Sequence, residues 1–177
     1  MQNSIDQTAY QIRQYLLCAG RDRTLAENAG KSYRNSMFAA DYQTYLTNAK
    51  NLNQIPEIRD ELGWGDILPK EYWTPLSRDS EELLDPASSM SEMSLPMLAI
   101  YGALDKNIDP LQASAYLGSA KNSNIEVVII PGADHNMIVG GSGCVQEQLN
   151  RYKTVPDPRR SDLYRNTLIS SLENRNR

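Results

Sequence analysis

The sequence predicts an α/β fold, and three observations carry that expectation. Two apolar runs, 97–101 and 125–130, are continuous rather than alternating, the pattern of strands buried on both faces of a parallel sheet. A helix-length stretch from Pro110 to Lys121, with Leu111, Ala115 and Leu117, lies between them. Each run breaks at a glycine, Gly102 or Gly132, and then presents a side chain able to do acid–base chemistry. Strand, helix and strand in that order make a βαβ unit, whose crossover is right-handed almost without exception.

The elements before this unit read as helices. Ser4-x-x-Gln7 fits a capping box, and Ile5, Ala9, Ile12 and Leu16 recur at helical spacing until Gly20 ends the segment. A second box, Thr24-x-x-Glu27, opens a longer helical segment towards Leu52, with Leu25, Ala29, Tyr33, Phe38, Tyr42, Tyr45, Leu46 and Ala49 as its apolar and aromatic positions. Gly30 inside it costs about 1 kcal/mol relative to Ala and is the expected place for a bend. A short helix is expected from Pro56 to Leu62, and Gly63-Trp64-Gly65 breaks it. From Ile67 to Ser94 the prolines Pro69, Pro75 and Pro86, with several serines, make a connector holding one helical turn at Ser80 to Leu84. After the βαβ unit and a glycine-rich turn, Ser161 to Glu173 reads as a terminal helix. The organisation expected is therefore a helical region and connector over 1–94, followed by a βαβα region over 95–177.

Composition bounds the function. The 177 residues carry a net charge of −4, with 40% hydrophobic and 23% charged residues, so nothing points to a phosphate-backbone partner. Arg159-Arg160, Arg175 and Arg177 read as a solvated face and a frayed end. Cys18 and Cys144 are far apart in sequence and unaccompanied by histidine, which suggests neither a zinc site nor a disulfide framework. No metal or cofactor is expected. No window reaches the ~18 apolar residues of a membrane span. The first residues lack the basic and apolar regions of a signal peptide, so the chain as given is expected to be soluble and, by default, cytoplasmic.

The chemistry gathers at the two post-strand turns. Ligands in open parallel sheets sit beyond the carboxyl ends of the strands. Asp105 lies in Gly-x-x-Asp after the first run, and His135 in Pro-Gly-Ala-Asp-His after the second. His135 is the one histidine of the chain. An imidazole there can act as base and then as acid, and a carboxylate accepting its Nδ1–H holds the tautomer and stabilises the imidazolium. Asp109 competes for the role of acid, but a residue immediately before a proline at a helix start is more often an N-cap. Asp134 is expected to bond locally or to face solvent. The aromatics Tyr10, Tyr15, Tyr33, Tyr42, Tyr45, Trp64, Tyr72 and Trp73 are candidates for a substrate pocket, with packing the commoner use of such residues.

Residues 95–137 resemble the last two strands of the α/β-hydrolase superfamily, close to its dienelactone-hydrolase and prolyl-oligopeptidase-like branch. The residues that carry the likeness are Leu84-Asp85-Pro86, the run from Leu95 to Asp105, Ile108-Asp109-Pro110, and Ile129-Ile130-Pro131-Gly132-Ala133-Asp134-His135-Asn136. The resemblance implies that the fold is the C-terminal portion of an α/β-hydrolase, with the helical first half similar to the cap of that family. It implies Asp105 as triad acid and His135 as triad base of a serine hydrolase acting on an ester, thioester or peptide-like acyl bond.

One departure is severe. The family carries its nucleophile on a Gly-x-Ser-x-Gly elbow upstream of the cap, and no such motif occurs in this sequence. Gly140-Gly141-Ser142-Gly143-Cys144 comes nearest, but cysteine replaces the second glycine and no strand leads directly into it. A flexible turn is the better reading of Ser142, and Cys144 lacks a setting that would activate it. The expectation is a chain that supplies two members of a triad and is catalytically silent alone. Its unpaired strand edge beside Val127 to Ile130 should self-associate or pair with an N-terminal segment. The alternatives are a non-catalytic binding or regulatory module that retains remnants of the hydrolase fold, and a two-layer α/β interaction domain unrelated to hydrolases.

Overall fold

The computed structural model describes residues 4–63, 66–76, 90–154 and 162–175. The chain divides into two compact units, residues 2–85 and 86–177. The expected turn at Ser80 to Leu84, the Leu84-Asp85-Pro86 segment, Trp64 and Arg159-Arg160 lie outside the described residues.

The first unit is helical. Helix α1 (Ser4–Cys18) and α2 (Arg23–Met37) pack together, followed by α3 (Tyr42–Asn53) and a π-helical turn (Glu57–Glu61) where an ordinary short helix was expected. Helix α1 buries Ile5, Ile12 and Leu16, spaced to fall on one side of the helix, and also Tyr10 away from that side. Ile12 and Leu16 join Ala26, Ala29, Leu52, Ile55 and Ile58 in one core. Gly30 is no bend: a Cβ there would stand 2.9 Å from the Ala9 carbonyl oxygen, so glycine lets α2 approach α1 closely.

Two sequence expectations are corrected in this unit. The segment from Thr24 to Leu52 is two helices, divided at Phe38 to Asp41, because Asp41 turns its carboxylate onto the Thr44 N–H at 2.8 Å and starts a new helix. The cap of α2 is Asp22 rather than Thr24, its carboxylate accepting from the Leu25 N–H at 2.9 Å.

The second unit is α/β. Strand β1 (Met97–Gly102), helix α4 (Pro110–Ser119) and strand β2 (Ile125–Ile130) form a parallel pair with a helical crossover. The register runs from Met97 opposite Ile125 to Gly102 opposite Ile130. Helix α5 (Val145–Thr154), absent from the sequence expectation, and α6 (Asp162–Arg175) follow. The strands are not buried on both faces. Among the described residues the sheet has two strands, each bonded along one edge, and within them only Gly102 and Ile130 are buried. Neither Cys18 nor Cys144 is a free thiol, which corrects the reading of them as isolated cysteines.

Candidate active site

The site is assembled where the two strands end. Because Gly102 and Ile130 are paired, the turns that follow β1 and β2 start side by side. Ala103 N–H donates to the Ile130 carbonyl at 2.9 Å and Leu104 N–H to the Ala133 carbonyl at 2.8 Å, which stitches one turn to the other. Gly102 makes this approach feasible. A Cβ there would lie 2.3 Å from the Asp134 carbonyl oxygen and 2.4 Å from that of Ala133.

Asp105 is 2% exposed and is the acceptor on which the first turn folds. Its Oδ1 accepts from the N–H groups of Asn107 at 2.8 Å and Ile108 at 2.9 Å. That fixes the carboxylate plane and leaves Oδ2 for the second turn. There, Oδ2 stands 2.9 Å from Nδ1 of His135. Facing a carboxylate, Nδ1 is the ring nitrogen that carries the proton, which leaves Nε2 as the basic position. The His135 side chain is 39% exposed, so Nε2 can be reached.

The turn that presents His135 has its own frame. Gly132 adopts φ +67° and opens it, and Ala133 bridges to Val139 to close it. The Asp134 carboxylate is buried within, its Oδ1 accepting from the N–H groups of Asn136 at 2.8 Å and Ile138 at 3.0 Å. Met137 takes a left-handed φ of +62°, a conformation that costs roughly 1–2 kcal/mol for a residue with a Cβ and that the surrounding bonds must offset.

The electrostatics favour a protonatable ring. The hydrogen bond to Asp105 raises the His135 pKa above its ordinary 6.5; partial burial opposes this, and the charges of Asp105 and then Asp134 add to the rise.

The other expected candidates are separated from this pair by their bonding. Asp109 is the N-cap of α4, accepting from the Leu111 and Gln112 N–H groups, both at 3.1 Å, with Pro110 following. Asp134 bonds locally but does not face solvent. Ser142 donates its hydroxyl to the Glu147 carboxylate and also gives Glu147 its backbone N–H at 2.7 Å. It thereby ties the turn before α5 to that helix, and the bond holds the Glu147 carboxyl below its usual range. Cys144 is not a thiol that could attack. Of the aromatics, Tyr42, Tyr45 and Trp73 pack on one another with ring centroids 5.7 to 5.8 Å apart. A cleft of about 550 Å³ in the first unit is lined by Arg34, Asn35, Phe38, Thr44 and Asn48 among others, and by none of those three.

Sequence reasoning missed Arg151 and Glu147 of α5. The signal was present: Val145 and Leu149 stand four residues apart, and Glu147 and Arg151 are an i,i+4 pair of the helix-stabilising order. Among the described residues no group of three or more His, Cys, Asp or Glu side chains could hold a metal ion, and no helix is long and apolar enough to cross a membrane. No protein-family model matches the chain, and neither a search of characterised proteins nor one of solved structures returns a match.

Proposed function

We propose that Asp105 and His135 are the acid and base of a serine-type acyl hydrolase of the α/β-hydrolase kind, acting on an ester, thioester or peptide-like bond. The observation that carries this reading is the 2.9 Å contact of His135 Nδ1 with a carboxylate that is itself 2% exposed. A buried, doubly anchored acceptor holds the ring in one tautomer, with Nε2 directed away from Asp105 by the geometry of imidazole. The parallel pairing of β1 and β2 supports the finer fold reading, in which they are two strands of a larger sheet. Apolar strands left half-exposed are what such a sheet would cover.

In this reading the nucleophilic serine and the oxyanion donors come from a segment outside the 177 residues. Nε2 of His135 removes the proton of the serine hydroxyl as its oxygen bonds to the acyl carbon. The imidazolium, held by Asp105, returns that proton to the departing alcohol, thiol or amine. Water, deprotonated at the same nitrogen, then cleaves the acyl-enzyme, and the proton passes back to the serine. The non-catalytic alternative draws on two observations: Ser142 is engaged by Glu147, and Cys144 is not free.

A serine-directed fluorophosphonate probe separates the two readings. The chain alone should remain unlabelled. Combined with the segment encoded in frame upstream, a serine of that segment should label, and His135→Ala should abolish the labelling. Absence of any Gly-x-Ser-x-Gly upstream, or labelling indifferent to His135, overturns the hydrolase reading. Labelling of the chain alone that is lost in Ser142→Ala would overturn the assignment of the nucleophile to another segment.

A further inference from the structure

We propose that Arg151 is the positioning residue of the site: it neutralises Asp134, and so lets that carboxylate stay buried inside the turn that presents His135. The inference rests on the reading of His135 as the base and deepens it by naming what holds the base in place.

Asp134 precedes His135 directly, and its side chain is 4% exposed. Its carboxylate organises the turn by accepting from Asn136 and Ile138, while its own N–H donates to the Ile138 carbonyl at 3.0 Å. A buried carboxylate of this kind is costly unless a cation stands near it. Arg151 of α5 is that cation, its Nη1 3.7 Å from Asp134 Oδ2 and its side chain only 17% exposed. The separation is that of an ion pair rather than a hydrogen bond.

Arg151 is itself held from the far side. Its Nη2 donates to Glu147 Oε1 at 2.9 Å, and the other oxygen of Glu147 takes the backbone N–H and hydroxyl of Ser142. Room for the pair exists because position 141 is glycine, where a Cβ would come 2.3 Å from Arg151 Nη2 and 2.4 Å from Glu147 Oε1. The charged side chains meeting at the turn are thus Asp105 from the β1 end, Asp134 from the turn, and Glu147 and Arg151 from α5. The connected order is Ser142, Glu147, Arg151, Asp134 and then the turn that carries His135. Removing the guanidinium leaves Asp134 as an uncompensated buried charge. The carboxylate then relaxes towards water, surrenders the Asn136 and Ile138 N–H groups, and frees the ring from Asp105.

The test uses the full chain and its single histidine, followed by proton NMR as a function of pH. In Arg151→Met, the His135 pKa should fall towards 6.5, and the Nδ1–H resonance should be lost to solvent exchange. Arg151→Lys should lie between this variant and the wild type. The double variant Arg151→Met with Asp134→Asn should restore a His135 pKa raised above 6.5, short of the wild type only by the small part that the Asp134 charge adds, because an amide oxygen still accepts from both N–H groups without a charge that needs a partner. If Arg151→Met alone does not fold, the double variant decides: folded with a raised His135 pKa it supports the proposal, and unfolded, or folded without that rise, it overturns it. Three further results would overturn it: an unchanged titration in Arg151→Met, a rise in the pKa instead of a fall, or a double variant no better than the single. None of these readouts depends on a serine, so failure of the hydrolase reading in the fluorophosphonate test would be seen separately.

Discussion

Replacing Asp105 by Asn changes one functional group and little else. The carboxylate accepts at Oδ1 from Asn107 and Ile108 and at Oδ2 from His135. An amide oxygen can keep the two backbone bonds, so the turn should survive. The amide nitrogen is a donor, however, and now faces Nδ1, which forces the ring proton onto Nε2 and leaves no acceptor for an imidazolium. A hydrogen bond between charged groups contributes about 1.5–3 kcal/mol. With the His135 side chain 39% exposed, solvent screening brings the expected loss for the imidazolium form to about 1 kcal/mol. For a unit of this size that corresponds to roughly 4–8 °C in Tm.

The sign of the pH dependence should reverse with the substitution. In the wild type the hydrogen bond to Asp105 is the largest influence and raises the His135 pKa above 6.5. The stability this contributes is complete below pH 6.5 and is lost as pH rises through the raised folded value. In the variant both influences of Asp105 vanish, leaving partial burial, which lowers the pKa, against the smaller effect of Asp134, which raises it. The folded pKa then drops below 6.5, and protonation of His135 opposes folding. Between about pH 8 and about pH 6, falling pH should stabilise the wild type relative to the variant. The histidine Cε1–H resonance gives the pKa directly, and urea midpoints at both pH values give the stability difference. A His135 pKa that is unchanged or higher in Asp105→Asn would refute the assignment of Asp105 as the partner.

Gly102→Ala should cost about 1–3 kcal/mol or more, read as a lower urea midpoint, because the two carbonyls at 2.3 and 2.4 Å must be displaced along with the bonds that join the turns. A wild-type midpoint would show that the turns are not in close approach. Ile12→Ala, at a fully buried position of the helical core, should destabilise the first unit by about 2–5 kcal/mol in the same assay, and a cost under about 1 kcal/mol would contradict its burial. Asp109→Ala should remove about 0.5–2 kcal/mol through the lost cap of α4, while leaving the His135 titration in place. A shift in that titration would reopen the choice of acid. The half-exposed strand edges should make the isolated chain self-associate or gain stability from an added N-terminal segment. A sharp unfolding transition of a monomer, independent of concentration, would count against that.

Local rules made much of this architecture legible. The apolar runs marked β1 and β2 within a residue, the spacing of Ile5, Ile12 and Leu16 marked the buried side of α1, and Asp109-Pro110 marked the start of α4. Each of those signals is confined to neighbours in sequence. The failures fall where a local signal was outcompeted or sparse. Asp41 captured Thr44 and split an apparently continuous helix, and α5 carries too few apolar residues for its period to stand out. The glycine at position 30 read as a weakness because its contact, the Ala9 carbonyl, belongs to another helix.

By itself, then, the sequence determined that two parallel strands joined by a helix would each end in a turn bearing an acid–base group. It favoured Asp105 over Asp109 and Asp134 as the partner of the histidine only by the commoner use of each position, since all three lie on turns near the strand ends. Tertiary structure supplied the contact itself. Pairing Gly102 with Ile130 sets the two turns side by side, and the absence of a Cβ at Gly102 lets them close to hydrogen-bond distance. At that distance the Oδ2 of Asp105 meets Nδ1 of His135 at 2.9 Å, while Asp109 caps α4 and Asp134 is held within its own turn beside Arg151. Register and close approach are relations between segments some thirty residues apart, and no pattern within either segment encodes them.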